Sequence, residues 1–362
     1  MTKVSVIIPV YNTAKYLDRC LSSVLDQSLV DNEIITVIDA SPDDSLAIVQ
    51  RFQRDDARIK IIQNSNNKGL PATRNVGVSH ASGEYIIHLD SDDFWLHKHM
   101  LDELYTRAQA DGCEMLRFNG YNYQDGALGS LIENELDIVN GNVNQDRKLW
   151  SYRAVFLFFM QKRFIDKHNL SFTDGLNIGE DAVFLSAALF AAQTISSTSK
   201  CYYAYRINQS SMMNRAWTYQ EFMQEEDSSQ IISHNIQSNK EALYAYLYSR
   251  IKYYWPQKIA SKALPQLTWA ERIKFYQHVR TNFSRLALIN AELHESTELS
   301  SGSKNTRKLY RYFMASDYEQ VDKHIAALNS KKLVAIIKKK IKRARKIMLK
   351  PLKQLISSLD TN

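Results

Sequence analysis

Asp90, Asp92 and Asp93 fall within four residues, directly after the apolar run Ile86 to Leu89 and before Phe94-Trp95. Carboxylates this close destabilise one another's charge unless something positive sits among them. Mg²⁺ and Mn²⁺ take carboxylate oxygens together with water and phosphate oxygens. Asp90 and Asp92 are therefore candidate metal ligands, and a diphosphate is the natural third partner of such an ion. Acidic triplets are also common in solvated loops. What singles this one out is its place, at the end of a buried strand.

The elements that must position these acids are legible in the first hundred residues. VSVII (4–8), EIITVI (33–38), RIKII (58–62) and EYIIHL (84–89) read as buried strands. Between them, residues 14–27 and 70–79 read as helices, with Leu17, Leu21, Val24 and Leu25 on one face of the first. Ser41-Pro42-Asp43-Asp44 predicts a helix start, with Ser41 as cap and the acids at the positive end of the dipole. Strands alternating with helices imply an α/β fold, a Rossmann-like, mostly parallel sheet covered on both faces. Farther on, residues 180–192 read as a helix and 201–207 as a strand, and from Trp217 to about Ser330 nearly everything reads helical.

Ligands of such sheets bind beyond the carboxyl ends of the strands. Three strand ends carry unusual residues: Pro9-Val10-Tyr11-Asn12, Asp39-Ala40-Ser41 and Asp90-Ser91-Asp92-Asp93. If the three strands are adjacent, these loops share one crevice suited to a nucleoside diphosphate. Tyr11 would pack on the base, and Asp39 would accept a hydrogen bond from base or ribose. Ser91 lies inside the acidic loop, and Lys68 and Arg74 would add cationic contacts. His97 and His99 lie close to the acids but fit a surface helix better.

At this point the sequence resembles the family 2 glycosyltransferases of the A-type fold, of the bacterial surface-polysaccharide kind. The matching stretches are VSVIIPVYNTAKYLDRCLSSVLDQS, EIITVIDASPDDS, NNKGLPATRNVGVSHASGEYIIHLDSDD and GEDAVF. The resemblance implies that Pro9, Tyr11 and Asp39 surround the base, and that Asp90 and Asp92 serve ribose, diphosphate and a Mn²⁺ or Mg²⁺ ion. It also implies a catalytic base at Asp181, with Glu180 its rival. The family's Asp-Asp-Gly-Ser after the second strand is here Ile38-Asp39-Ala40-Ser41, without the first acid and the glycine. The Gln-x-x-Arg-Trp motif of processive members is absent, which favours transfer of one or a few sugars per encounter. Tyr203-Ala204-Tyr205-Arg206 is similar to a segment of bacterial members, and Arg206 is a candidate contact to acceptor or diphosphate. The implied activity is inverting, metal-dependent transfer from a nucleotide sugar, UDP-linked, to a hydroxyl of a glycan or lipid-linked saccharide acceptor.

Bulk properties narrow the setting. The 362 residues carry a net charge of +7, but eleven Lys and Arg and no acid lie between Lys331 and Lys353, so the remainder is mildly acidic at −4. That distribution argues against a nucleic-acid-binding body. Val334, Ile337, Ile341, Ala344, Met348 and Leu352 form an apolar stripe in this basic stretch, which suggests that residues 331–356 bind an anionic membrane surface. Three scattered cysteines suit a reducing compartment. The expected organisation is a catalytic domain over 1–215, a helical region over 216–330 and a basic tail over 331–362. The expected location is cytoplasmic, peripheral on the inner face of the cell membrane. A nucleotidylyltransferase would need a glycine-rich phosphate loop after the first strand, and a glycosidase would need no nucleotide-like loops. A non-catalytic glycan- or nucleotide-sugar-binding scaffold on the same fold is the alternative class.

Overall fold

The computed structural model of the chain describes residues 2–150, 154–207, 218–250 and 267–294, with further positions between 308 and 327. The basic tail, 331–362, lies outside the described residues. Contacts divide the chain into two units. One is Met1–Arg215 with Gln220–Leu243, and the other is Ala216–Tyr219 with Tyr244–Asn362. Among the described residues, no helix is long and apolar enough to cross a membrane.

The first unit is built on a sheet of order β3-β2-β1-β4-β9-β6-β10-β5. Here β1 is Val4–Val10, β2 Asn32–Ile38, β3 Ile59–Gln63, β4 Tyr85–His88 and β5 Phe94–Trp95. Farther along the chain, β6 is Met115–Gln124, β7 Ala127–Leu131, β8 Ile138–Gly141, β9 Phe158–Gln161 and β10 Ile195–Arg206. β1 lies between β2 and β4 and is parallel to both, with Val10 opposite Ile38 and Ile7 opposite His88. The carboxyl ends of these three strands therefore emerge side by side. β9 is antiparallel to both β4 and β6, and β10 is parallel to β6.

Every residue of β1 is buried, including Pro9, although proline lacks a ladder donor. Its position explains this. Ile7 accepts from Leu89 on the β4 side and Val10 accepts from Asp39 on the β2 side. The backbone of Pro9 thus faces the β4 side, beyond Ile7↔His88, where that ladder has already ended. A proline here ends the pairing on the β4 side.

Helices α1 (Ala14–Leu25), α2 (Ser45–Asp55), α3 (Leu70–Ser79) and α4 (Met100–Asp111) follow β1, β2, β3 and β5 in the chain. α1 buries Leu17, Cys20, Leu21 and Val24, spaced as one helical face. α3 approaches the sheet so closely that a Cβ on Gly77 would stand 2.4 Å from Ile7 Cγ2. The helix predicted to begin at Ser41 begins at Ser45 instead. Ser41 and Asp43 are engaged by the neighbouring loop. Ser41 Oγ accepts from Asn12 N at 2.8 Å, and Asp43 accepts from Ala14 N at 2.8 Å and Ser45 N at 3.2 Å. Asp43 thus serves the first amide groups of both α1 and α2, and the turn between is held out of the helix. Burial raises its pKa, but these amides with the Ser41 and Ser45 hydroxyls outweigh it and hold the carboxyl down at about 2.

α5 (Lys162–Lys167) and α6 (Glu180–Ala191) complete the sheet's cover. The helical region expected from 216 onward does not separate cleanly at its start. α7 (Tyr219–Asn235) bonds to the α6 segment. Ser228 donates to the Ile178 carbonyl, Asn235 Nδ2 to Ser186 Oγ at 2.8 Å, and Gln224 Nε2 to the Gly175 carbonyl at 3.1 Å. The second unit contains a helix at Trp269–His294.

Candidate active site

The crevice above β2, β1 and β4 begins at Asp39, whose backbone N closes the β1–β2 ladder on Val10. Asp39 is 3% exposed. Its Oδ1 accepts from Asn64 Nδ2 and Lys68 N, both at 2.8 Å, and its Oδ2 accepts from Gly69 N at 2.9 Å. The sequence leads one to expect this carboxylate to be turned to a ligand. Instead it organises the 64–69 loop, because the amides at the α3 entrance need an acceptor. A carboxylate has roughly four acceptor positions, so one remains beyond these three donors. Gly69 sits at φ +83, and a Cβ there would meet Asn177 Oδ1 at 2.8 Å. The positive φ is what calls for glycine, since the Asn177 amide is exposed and can turn aside. Lys68 contributes its amide to Asp39 while its side chain is exposed. Tyr11 is 48% exposed at the end of β1, free to present a ring face. Ala40 occupies the left-handed region at φ 51, where the family's glycine would be unstrained.

Across the crevice lies Arg74. The cationic contacts expected of it are made to the protein's own carboxylates. The residue is 1% exposed and sits among carboxylates. Nη2 is 2.8 Å from Asp90 Oδ1, and Nη1 is 2.5 Å from Asp181 Oδ1 and 3.5 Å from Glu180 Oε1. A buried guanidinium is held only where acceptors surround it, and α3 brings it there from one side while α6 brings the acids from the other. Burial lowers the Arg74 pKa, but the three carboxylates dominate and keep it charged. Asp181 Oδ2 also accepts from Val155 N at 3.0 Å.

Burial pushes both acids of the α6 start upward, and Arg74 pulls both back. The 2.5 Å contact assigns the charge to Asp181. Glu180 is raised by burial and then by Asp181, to about 8. Both acids are raised by burial, and the shorter Arg74 contact makes Asp181 the more strongly stabilised carboxylate of the two.

The acidic loop itself is braced from β10. The Tyr203 hydroxyl donates to Asp93 Oδ2 at 2.7 Å and accepts from Asp90 N at 3.3 Å. Arg206 N donates to Asp93 Oδ1 at 2.6 Å, and Arg206 Nε to the Asp92 carbonyl at 2.8 Å. Asp93 is therefore a brace. Ser91 is 5% exposed, and its hydroxyl accepts from Thr13 Oγ1 at 2.9 Å, so it ties this loop to the β1–α1 loop. Asp92 is raised to about 6 by burial and by Asp90. That is the mark of negative charge lacking a counterion, which a divalent cation would supply. Two carboxylates, Asp92 and the part of Asp90 not engaged by Arg74, match the ligand count Mg²⁺ or Mn²⁺ takes when phosphates and water complete the shell. Among the described residues, no group of three or more His, Cys, Asp or Glu is placed as a metal cage.

His97 and His99 do not join this site. They line a hollow of about 510 Å³ with Asp26, Trp95 and Glu103, at the end of α1 remote from Tyr11. His88 lies in the core with neither ring nitrogen bonded. Burial, then the Arg74 charge, drives its pKa well down, so it is neutral. Residues that sequence reading passed over include Arg19, Tyr16 and Tyr123, which gather around Arg206. Arg19 and Tyr16 lie three residues apart on α1, a shared face that helical spacing could have signalled.

Residues 5–180 match the family described as Glycosyl transferase family 2. Glycosyltransferase GlyG of Streptococcus pneumoniae serotype 4 is 28% identical over 226 residues, which is 58% of this chain and 72% of that protein. The poly(ribitol-phosphate) beta-glucosyltransferase of Bacillus spizizenii is 30% identical over 221 residues, 57% of this chain and 32% of that protein. Among solved structures, S. aureus TarS 1-349 in complex with UDP-GlcNAc shares the fold at a TM-score of 0.75 and 19% identity, covering 91% of this chain and 92% of that one. The family match runs from the first strand to the first residue of α6, through every loop of the crevice, and that segment is a glycosyl transferase family 2 domain on the A-type fold.

Proposed function

We propose that the protein transfers a sugar, with inversion, from a UDP-linked donor to a hydroxyl of a glycan or lipid-linked acceptor in surface polysaccharide synthesis. The observation that carries this reading is the buried Arg74, which holds Asp90 of the acidic loop and Asp181 of α6 on one guanidinium. A donor-side carboxylate and a proton acceptor are thereby fixed in one crevice. UDP is the nucleotide bound by the structural neighbour, and Tyr11 with the Asp39–Gly69 loop is the surface offered to its base. Pro9 shapes the turn that presents Tyr11. Lys68, exposed on the same loop, is placed in this reading near the donor's negative charge.

Asp181 takes the proton of the acceptor hydroxyl as its oxygen bonds to the anomeric carbon. The bond from that carbon to the diphosphate breaks on the opposite face, and its electron pair leaves with the nucleotide. Arg74 and the Val155 amide hold the Asp181 carboxylate ionised and oriented. Asp92 and Asp90 are the groups that would hold Mn²⁺ or Mg²⁺, and a bound ion would offset charge on the departing diphosphate.

The test pairs a nucleotide-sugar screen with one substitution. We expect metal-dependent hydrolysis or transfer with a UDP-sugar, and we expect Asp181→Asn to lower kcat roughly 10²–10⁴-fold, the worth of a general base, while UDP affinity holds. Full activity in that variant would remove Asp181 from the mechanism. Residues 331–356 as a membrane anchor are part of the same proposal, read from composition. Sedimentation with anionic liposomes, before and after deletion of 331–362, is the measurement.

A further inference from the structure

We propose that Gln224 of α7 is a positioning residue for the transfer reaction, holding the loop that delivers Asp181 to the crevice. The inference deepens the proposed transferase reading and rests on Asp181 as its proton acceptor. Residues 173–179, which lead into α6, form neither strand nor helix. Gly175 and Gly179 both sit in the left-handed region, at φ 77 and 79. Gly179 is also the cap position of α6, and as a glycine it supplies no side-chain bond to the first turn. The start of α6 is therefore fixed by neither a regular ladder nor a cap, and Asp181 lies in that first turn.

α7 does the fixing. Gln224 Nε2 donates to the Gly175 carbonyl at 3.1 Å, and Gln224 Oε1 accepts from Asn177 N at 3.2 Å. The amide thus spans a carbonyl and an N–H, groups of opposite kind, which neither a carboxylate nor an ammonium could do. One turn farther along α7, the Ser228 hydroxyl donates to the Ile178 carbonyl. The helix lies so close there that a Cβ on Gly179 would stand 2.9 Å from that hydroxyl. Residues 224 and 228 share one helical face, so two side chains of a regular element hold the loop backbone at 175, 177 and 178. The clamp ends within one turn of Asp181. Arg74 and the Val155 amide can hold the Asp181 carboxylate only where the α6 backbone presents it, and a misplacement of about 1 Å can cost on the order of 10²-fold in rate. The nucleotide loop does not depend on the clamp, since Asp39 holds the Lys68 and Gly69 amides. Loss of the clamp should therefore appear in kcat and not in donor binding.

Steady-state kinetics of the full chain, with the UDP-sugar turned over fastest in the nucleotide-sugar screen, tests the role beside calorimetric titration of UDP. Gln224→Met keeps the length and helix preference of the side chain and removes both bonds. We expect it to lower kcat roughly 10–100-fold, with donor KM and UDP Kd unchanged. Ser228→Ala, which removes one bond, should lower kcat less. Thermal midpoints report folding, and if Gln224→Met unfolds early, Ser228→Ala carries the same prediction. In an Asp181→Asn background, Gln224→Met should reduce the residual rate no further, because residues that act as one unit are not additive. A residue that merely stabilises the fold would add its own loss in both backgrounds. Native kcat in a folded Gln224→Met overturns the proposal, and so does full additivity with Asp181→Asn or a loss of UDP affinity equal to the loss of kcat. Full activity in Asp181→Asn alone is a different failure: it removes the proton acceptor from the transferase reading, and this inference with it.

Discussion

The two flanks of the crevice are built by different means. On the nucleotide flank, Asp39 gathers the amides of Lys68 and Gly69 with the Asn64 side chain, and Asp43 gathers those of Ala14 and Ser45. Carboxylates here are satisfied by backbone, and the shape is set by turns. On the reaction flank, the two terminal nitrogens of Arg74 are paired with Asp90, Glu180 and Asp181, drawn from parts of the chain up to 107 residues apart. Shape there is set by charge. The nucleotide flank should therefore respond to changes in backbone conformation, and the reaction flank to changes in charge.

The sharpest way to break this contrast is at Arg74. Arg74→Gln leaves buried carboxylates without their cation, and stability should fall by about 3–5 kcal/mol. Arg74→Lys should recover little, because one ammonium cannot span both sides as the fork does. Urea denaturation measures both, and a native-like midpoint for Arg74→Gln would dissolve the distinction. Gly69→Ala is the counterpart on the other flank. It puts a Cβ on a left-handed backbone, and we expect a loss of about 2 kcal/mol together with weaker UDP binding.

The flanks should also diverge with pH. Asp43, normally near 3.8, is held at about 2 in the fold. Between those values the unfolded chain binds more protons, so this contribution is complete above about pH 3.8 and is lost as pH falls through 2. Glu180, normally near 4.5, is raised to about 8. Between those values the folded chain binds more protons, so stability declines as pH rises through that window. Asp43→Asn should flatten only the acid limb of a plot of denaturation midpoint against pH, and Glu180→Gln only the limb toward alkaline pH. The smallest effect is expected at Ala40. Ala40→Gly relieves the φ of 51 but adds freedom to the unfolded chain, for a net gain of about 0.5–1 kcal/mol. A thermal shift upward with unchanged UDP affinity would fit a nucleotide flank governed by backbone.

Local patterns were enough to place Asp39, Asp90 and Asp92 at strand ends, because a buried strand is an unbroken apolar run and its end is where polarity resumes. α3 was legible to the residue, as Leu70–Ser79, since Gly69 and Pro71 mark its start. The start of α2 was not, because Asp43 is shared with α1 and only the packed loops reveal that. That Ser91 and Asp93 brace the acidic loop was not legible, their partners Thr13, Tyr203 and Arg206 being far away in sequence.

By itself, the sequence determined, over residues 4–89, the strands and helices and their order, and the loops at which polar residues would surface. Those follow from interactions within a few residues, where side-chain spacing and backbone preference act directly. Tertiary structure alone decided that Arg74 would be a buried hub and not an open cation, that Asp181 would take its shorter contact and Glu180 the longer one, and that Arg19 and Arg206 would both lie near the Tyr123 ring. Each of these depends on which distant groups share a desolvated space, and burial and charge pairing are set by proximity in the fold, to which spacing along the chain is blind.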